Sequence, residues 1–505
     1  MTDHVTSDDS PKDSNGTADR PGLSRRRLLA AGSAAALGGG LLAACQPQAG
    51  GSGGTGGGSA AKIRVWTVPE GPDDEAFQKK IFADVFAKEH PDVEVELQFF
   101  PPAQYGNALQ LAFTGGSDAP DVFRVGNGAR LNDAHPKGWV APLDEFITDE
   151  FTSRFPSWVY DPEQSPLYRD GKPVAVPRPD PFVEAIRVLY CNEELLTAAG
   201  YSEPPKTWSE FAEATQKITA DNGGRAYGGA IVGSTPTHLT MAALAGPQGW
   251  RAYGQPLLDL RNGKPAMAEP SLVQTIEFWQ ELHRAGALTP GWETWDATQA
   301  IQQMAAGRLA MYTFPLFHTF QLRNANPDLP LVLAAPPDPD DGRKGSIGPV
   351  DAAPFWMMST TCTEREAAWQ VLDFFASKEF QQPAFVELKQ MSLIEEVYEG
   401  VEVDPDVVRL REIADDIVRA RPQPDITKPE AGTFYADLIA KGPKTKPADI
   451  FFEAVTKGTD YAAAAAAYDE ELTASIETLL PQHDGVTMED FTFPDWDPMT
   501  DYFER

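Results

Sequence analysis

Little in this chain is spaced for covalent chemistry. Gly50, Ser52 and Gly54 match the Gly-x-Ser-x-Gly elbow that exposes a nucleophilic serine, but Ser52 stands in a Gly/Ser run with no strand before it. The same glycines mimic a dinucleotide fingerprint, equally without its strand and helix. There is no P-loop. His90, His135, His238, His283, His318 and His483 are scattered, without metal-ligand spacing, and read as surface or turn residues. The acidic pairs Asp73-Asp74 and Asp415-Asp416 read as solvated faces or helix starts. No catalytic residue, metal or cofactor is therefore expected. The residues that stand out suit non-covalent work. They are aromatic side chains in loops or at strand ends, with carboxylates, amides or guanidinium groups nearby: Trp66 and Glu70, Asn127, Arg178 and Asp180, Trp250 and Tyr253, Trp292 and Trp295 in "PGWETWDATQ", Phe314 and Phe317, and Asp351 in "GPVDAAPFW". A flat aromatic wall with a few fixed polar groups holds a ring that has an apolar face and a polar rim. The competing reading of each Trp is packing. Trp208 and Trp369, on helices with apolar partners, read as core. Arg178 and Asp180 have the competing option of pairing with each other, worth under about 1 kcal/mol if exposed.

These residues need elements to position them. "KIRVWTV" (Lys62–Val68) reads as a strand, and Phe77, Ile81, Phe82, Val85 and Phe86 fall at helical spacing before Pro91. "DVEVELQFF" alternates as a strand, a short helix is expected around Ala108–Phe113, and "DVFRV" is a third strand. This βαβαβ alternation predicts a mainly parallel sheet covered by helices. Further on, Thr207 with Glu210, Ser271 with Gln274, and Thr363 with Glu366 each have capping-box spacing. "AIQQMAAGRLAMYTF" reads as a helix, a stop at Gly307 and a strand. Ala462–Leu480 reads as an amphipathic helix. The stretch from Pro481 is rich in Pro, Asp and aromatics and has no period.

The start of the chain carries its own chemistry. Arg25, Arg26 and Arg27 precede a short apolar run, Leu28–Leu42, too short for the roughly 20 residues that span a bilayer. That is the pattern of an export signal, and Ser24–Leu29 looks like its twin-arginine variant. Leu42-Ala43-Ala44-Cys45 resembles the bacterial lipobox, which implies acyl chains on Cys45 as the first mature residue. "QPQAGGSGGTGGGSAA" then reads as a flexible tether.

Composition bounds what remains. Residues 1–44 carry five Asp and five Lys or Arg, so their removal leaves the formal charge of −32 unchanged. Such a charge repels nucleic acid and anionic headgroups, so attachment to a membrane would rest on lipid rather than on a basic patch. The remaining length calls for two lobes. Cys191 and Cys362 sit in apolar stretches and are expected to be free thiols.

Several stretches resemble the sugar-type solute-binding proteins of ABC importers: "GKPVAVPRPDPFVEAIRVLYCNEELLTAAGYSEPPKTWSEF", "GWVAPLDEFI", "MAAGRLAMYTF" and "REAAWQVLDFFASKEFQQ", in the family's order and spacing. The likeness runs from about Lys62 to Leu480 and is weakest over Asp404–Thr459. It implies an α/β, two-lobed periplasmic-binding-protein-like fold with a hinge and a ligand cleft. Lobe one is expected at 62–183 plus 337–380, lobe two at 184–336 plus 381–480, and a C-terminal tail at 481–505. It further implies that Trp66 faces the cleft, that Phe314 or Phe317 stacks on ligand, and that Asp351 lies where the chain returns to lobe one. The implied protein is a monomeric, lipid-anchored receptor on the outer face of the cell membrane. It would hand a carbohydrate to ABC permease subunits and do no chemistry. The alternatives are an exported enzyme acting on polysaccharide and a receptor for a non-sugar solute. Trp292 and Trp295, three apart before a helix, are expected to point to one side.

Overall fold

Strand β1 (Ala61–Thr67) is apolar on one face, where Ile63 and Val65 are buried. It pairs in parallel with β2 (Val93–Phe99) and β3 (Val122–Val125). The computed structural model describes residues 60–69, 73–115, 118–125, 131–178, 180–233, 244–253, 257–348 and 355–504, without the side chains of Ala103, Asn132 and Tyr253. Two short ribbon strands, β4 (Tyr168–Arg169) and β5 (Lys172–Pro173), lead to β6 (Val176–Pro177). The chain then enters a second sheet through β7 (Arg187–Asn192), with β8 (Tyr227–Gly229), the ribbon β9 (Ala252–Tyr253) and β10 (Leu258–Asp259), β11 (Leu309–Pro315) and β12 (Leu331–Ala334). Strand β13 (Phe355–Met358) returns to the first sheet.

The first sheet has the order β2-β1-β3-β13-β6, and the second β12-β7-β11-β8. Both are mixed rather than mainly parallel. Strand β13 runs antiparallel to β3 and β6, and β7 antiparallel to β11 and β12, because each arrives by a crossing from the other lobe. In β7 successive side chains face opposite sides of the sheet. Val188 and Tyr190 join a core shared with the first sheet, while Leu189 and Cys191 join the second lobe's core. A strand buried on both faces needs a continuous apolar run, and "VLYC" supplies one.

The helices follow the apolar periods. Asp74–Ile81 continues through a π-turn at Phe82–Phe86, and Phe82 and Phe86 each meet Phe374 with centroids 5.2 Å apart. The short helix expected at Ala108–Phe113 spans Pro102–Gly115. Thr207 forms its capping box with Glu210 on the helix Trp208–Asn222. The other two expected boxes are absent. Pro270 opens its helix one residue earlier, so Ser271 lies inside the first turn. Glu364 rather than Thr363 takes the N-cap position of Arg365–Phe375, without a side-chain capping bond. The sequence reading missed a box at Asp296 with Gln299 on the helix Ala297–Ala305. Gly307 follows that helix with φ +67°, a left-handed conformation that glycine adopts without a Cβ penalty.

The helix Lys378–Leu388 straddles the expected lobe boundary and packs near Asp74–Ile81 and Arg365–Phe375. The aperiodic segment after Pro481 runs between the two cores. Phe491 is buried against Phe434, and Trp496 joins the second lobe's core. The Ser346 hydroxyl donates to the Pro498 carbonyl, and the Tyr502 amide donates to the Ala420 carbonyl at 3.0 Å. Phe503 reaches the shared core beside Trp158, 6.1 Å between centroids. Cys191 and Cys362 are both unpaired and buried in separate clusters. Burial pushes the Cys362 thiol up to about 11 and Cys191 up as well, so both are protonated at neutral pH. Among the described residues no helix is long and apolar enough to cross a membrane.

Candidate functional site between the lobes

Three segments pass between the sheets. The first joins β6 to β7, the second joins β12 to β13, and the third follows the helix Pro405–Ile417. The second and third are zipped together. The Ile347 amide donates to the Ile417 carbonyl at 2.8 Å, and the Arg419 amide donates to Ile347 at 2.9 Å. Arg343 adds a double ion pair, to Asp338 at 2.8 Å and Asp416 at 3.0 Å, so Asp416 is not merely a solvated acid. Open α/β sheets bind ligands beyond the carboxyl ends of their strands, and sites favour domain junctions. The carboxyl ends of β1, β3 and β11 and the three crossings therefore frame the candidate site.

On the first-sheet side, Trp66 is half-buried and lies 4.7 Å from Phe100, centroid to centroid. The Tyr105 hydroxyl shares its one proton between the carbonyls of Trp66 (3.0 Å) and Arg124 (2.8 Å) and accepts from the Arg124 amide at 3.1 Å, tying β1 to β3 beneath them. The Arg124 guanidinium donates to the Val68 carbonyl. The Arg178 guanidinium donates to Gln390 at 2.8 Å and reaches Asp74 at 3.4 Å. Asp73 and Asp74 do start a helix, as expected, but Asp74 is 2% exposed and also accepts from Gln78, so it is a buried acid holding the first crossing rather than a solvated one. Lys389, at φ +59°, turns the chain so that Gln390 meets Arg178. The Asp180 carboxylate accepts from the amides of Phe182 (2.9 Å) and Val183 (3.3 Å) and caps Pro181–Glu184.

On the second-sheet side, Phe314 and Phe317 do come together, edge to face at 5.6 Å. Phe314 is buried, whereas Phe317 is 45% exposed. His318 is neither a surface nor a turn residue. It is 0% exposed, 3.8 Å from the Phe314 ring, with Nδ1 2.8 Å from the Tyr312 hydroxyl. Burial pulls its pKa down to about 3, so it is a neutral prop under the two phenylalanines.

The expected tryptophan pair does not form. Trp292 opens a one-turn 3-10 helix, and Trp295 follows it in extended conformation, so the two indoles diverge into different cores. Trp292 is 1% exposed, stacks on Phe452 at 5.9 Å and donates to His283 at 3.3 Å. Trp295 is buried as well. Both are packing residues. Trp250 is half-buried against the second lobe's core, and Tyr253 pairs in β9 rather than sitting in a loop. Trp208 is buried, and Trp369 stacks on Phe146 at 5.1 Å. Glu70, Asn127, Asp351 and Cys45 lie outside the described residues. Sequence reasoning missed Asp74, Gln390, His318 and two arginines, Arg187 and Arg421. The signal for the arginines was their place in the first and third crossings. Among the described residues no cluster of His, Cys, Asp or Glu could hold a metal.

Two lobes joined by three crossings, with polar and aromatic groups lining the junction, define a hinged solute receptor. The chain belongs to the bacterial extracellular solute-binding protein family, whose profile matches residues 69–382. It is similar to a binding protein of Brucella abortus strain 2308, 26% identical over 319 residues, 63% of this chain and 71% of that one. It is also similar to the maltotriose-binding protein of Pyrococcus abyssi, 23% identical over 356 residues, 69% and 70% of the two chains. Among solved folds, the receptor of Streptomyces glaucescens determined free and with acarbose superposes with a TM-score of 0.61 at 20% identity, covering 83% of this chain and 99% of that one.

Proposed function

We propose that this chain is an extracytoplasmic receptor that binds a sugar or oligosaccharide between its lobes and presents it to an ABC permease. The observation that carries the reading is Phe317: a large aromatic ring left exposed at the carboxyl end of β11, backed by Phe314 and a buried neutral His318. A sugar's C–H face stacks on such a ring. Trp66 faces the junction from the other lobe in this reading, and Glu70, Asn127 and Asp351 are assigned as further ligand contacts. Closure is a hinge motion about the crossings, with lobe one near 62–183 plus 337–380 and lobe two near 184–336 plus 381–480. Residues 1–44 act as a twin-arginine lipoprotein signal, Cys45 carries the lipid, and the monomer floats on its Gly/Ser tether.

The test is a thermal-shift screen of mono- and oligosaccharides, since a ligand that binds only the folded state raises the melting temperature by mass action. A saturable shift with a sugar, with the sugar recovered intact, is expected. Turnover of the oligosaccharide would establish the enzyme alternative instead. Shifts only with non-sugar solutes would end the carbohydrate reading. For the anchor, Cys45→Ser should remove acyl-chain mass; a variant that still carries it on another residue would overturn the lipoprotein assignment.

A further inference from the structure

Arg187 opens β7 at the end of the first crossing, and Arg421 lies in the third. Both are half-buried. Arg187 donates to the carbonyls of Ala185 (2.7 Å) and Ile186 (3.1 Å), and Arg421 to that of Ala252 (3.1 Å). Nε of each is buried without a hydrogen-bond partner. Among the described residues neither guanidinium has a carboxylate within ion-pair distance, although the chain carries a formal charge of −32. The two are also close enough to repel. Burial pushes Arg187 down to about 10, with Arg421 adding to the depression and Tyr190 and Glu184 opposing it. Arg187 therefore remains charged at neutral pH. The Arg421 guanidinium lies across Gly348 in the second crossing, and a Cβ there would fall 1.6 Å from Nε. So all three crossings contribute to one spot: two cations from the first and third, and a missing side chain from the second.

Like charges held together away from bulk water destabilise a fold unless a counter-charge meets them. An arginine is well suited to hold a carboxylate or phosphate, since its planar fork matches the two oxygens. We infer that Arg187 and Arg421 form an anion subsite at the floor of the cleft, and that the natural ligand is a carbohydrate bearing a carboxylate or phosphate group. This rests on the carbohydrate reading and narrows it. Hinge closure would then bring a negative charge to two arginines that have no carboxylate within ion-pair distance among the described residues. Gly348 is required because any side chain would displace Arg421.

The experiment measures affinity by calorimetry for four probes: a neutral oligosaccharide, a hexuronic acid oligosaccharide, a sugar phosphate and inorganic phosphate. Wild type is compared with Arg421→Gln, Arg187→Gln and Gly348→Ala. The acidic sugars should bind at least about tenfold more tightly than the neutral one, as expected for charge-assisted hydrogen bonds. Each variant should lose at least about tenfold for the acidic sugars and little for neutral ones. Gly348→Ala keeps both charges, so its loss reports the position of Arg421. The apo melting temperature of Arg421→Gln should be unchanged or higher, because a repulsion is relieved; a merely structural arginine would lower it. Preference for a uronate over a sugar phosphate, or the reverse, identifies the acid. If neutral sugars bind best and the variants bind all probes like wild type, the anion subsite is overturned and the carbohydrate reading stands. If inorganic phosphate binds through both arginines while no sugar binds, the carbohydrate reading falls and the subsite stands. Absence of binding by any probe overturns both.

Discussion

At the scale of single residues, exposure separates the aromatic side chains buried in the cores from Phe317, the ring proposed to meet a ligand. Trp292→Ala removes an indole with 1% exposure and should cost about 3–5 kcal/mol of stability. Whatever remains folded should bind ligand normally. Phe317→Ala should do the opposite, moving the apo melting temperature little while weakening sugar binding about tenfold through lost area and stacking. Paired melting curves and titrations of the two variants check both. His318 gives a pH signature. Its unfolded pKa is near 6.5 and its folded pKa about 3, so the unfolded chain takes up the proton first. Its contribution is complete above about pH 6.5 and is lost progressively as pH falls towards 3. His318→Gln should therefore lose less stability than wild type between pH 7.5 and 4.5, measured as melting temperature at each pH. None of this could be read from residue type. "GWETW" gives a spacing of three, but a single 3-10 turn followed by extended chain sends Trp292 and Trp295 into different cores. The histidine was misread for a related reason: its neighbours in space, Tyr312 and Phe314, belong to the preceding strand, and only the turn at the end of β11 brings them over its ring.

At the scale of elements, periods and stops were legible and caps only partly so. The strands β1, β2 and β3 and the helix–Gly307–β11 step follow from alternation, helical spacing and a glycine with positive φ. Capping boxes were recognised by a Ser or Thr followed three residues later by Glu or Gln, but that spacing does not say where the helix begins. Pro270, favoured at the first helical position, moved one start, and Glu364 took another. Thr207→Ala should thus cost about 1 kcal/mol, whereas exposed Thr363→Ala should stay within about 0.5 kcal/mol of wild type. Urea unfolding of the two variants decides this, and equal losses would mean that the Thr207 box adds nothing. The crossings could not be derived from pattern, because short irregular segments have no period. They entered only through resemblance, which supplied the hinge but not the arginines on it.

At the scale of the whole molecule, the segment after Pro481 links both cores and the crossings, through Phe491, Trp496, Tyr502 and Phe503. Removing 498–505 would release Ser346 and Ala420 from the tail while leaving Trp496 in place. The ligand-free lobes should then sample wider angles, seen as a larger radius of gyration in solution scattering that contracts again with saturating ligand. An unchanged radius would mean that the tail does not brace the hinge. The aperiodic composition of that segment gave no hint of this, because the contacts to the crossings and cores are to distant parts of the chain. The strand order has a different consequence. In the first sheet β13 lies between β3 and β6, yet the entire second sheet lies between β6 and β13 along the chain. The second sheet can therefore assemble from a continuous stretch, whereas the first must wait for a strand made much later. Closing so long a loop costs more chain entropy, and non-local pairings slow folding. During synthesis the apolar edge of β3 stands open after the second lobe has begun to fold, so the nascent first lobe is the part most in need of a chaperone.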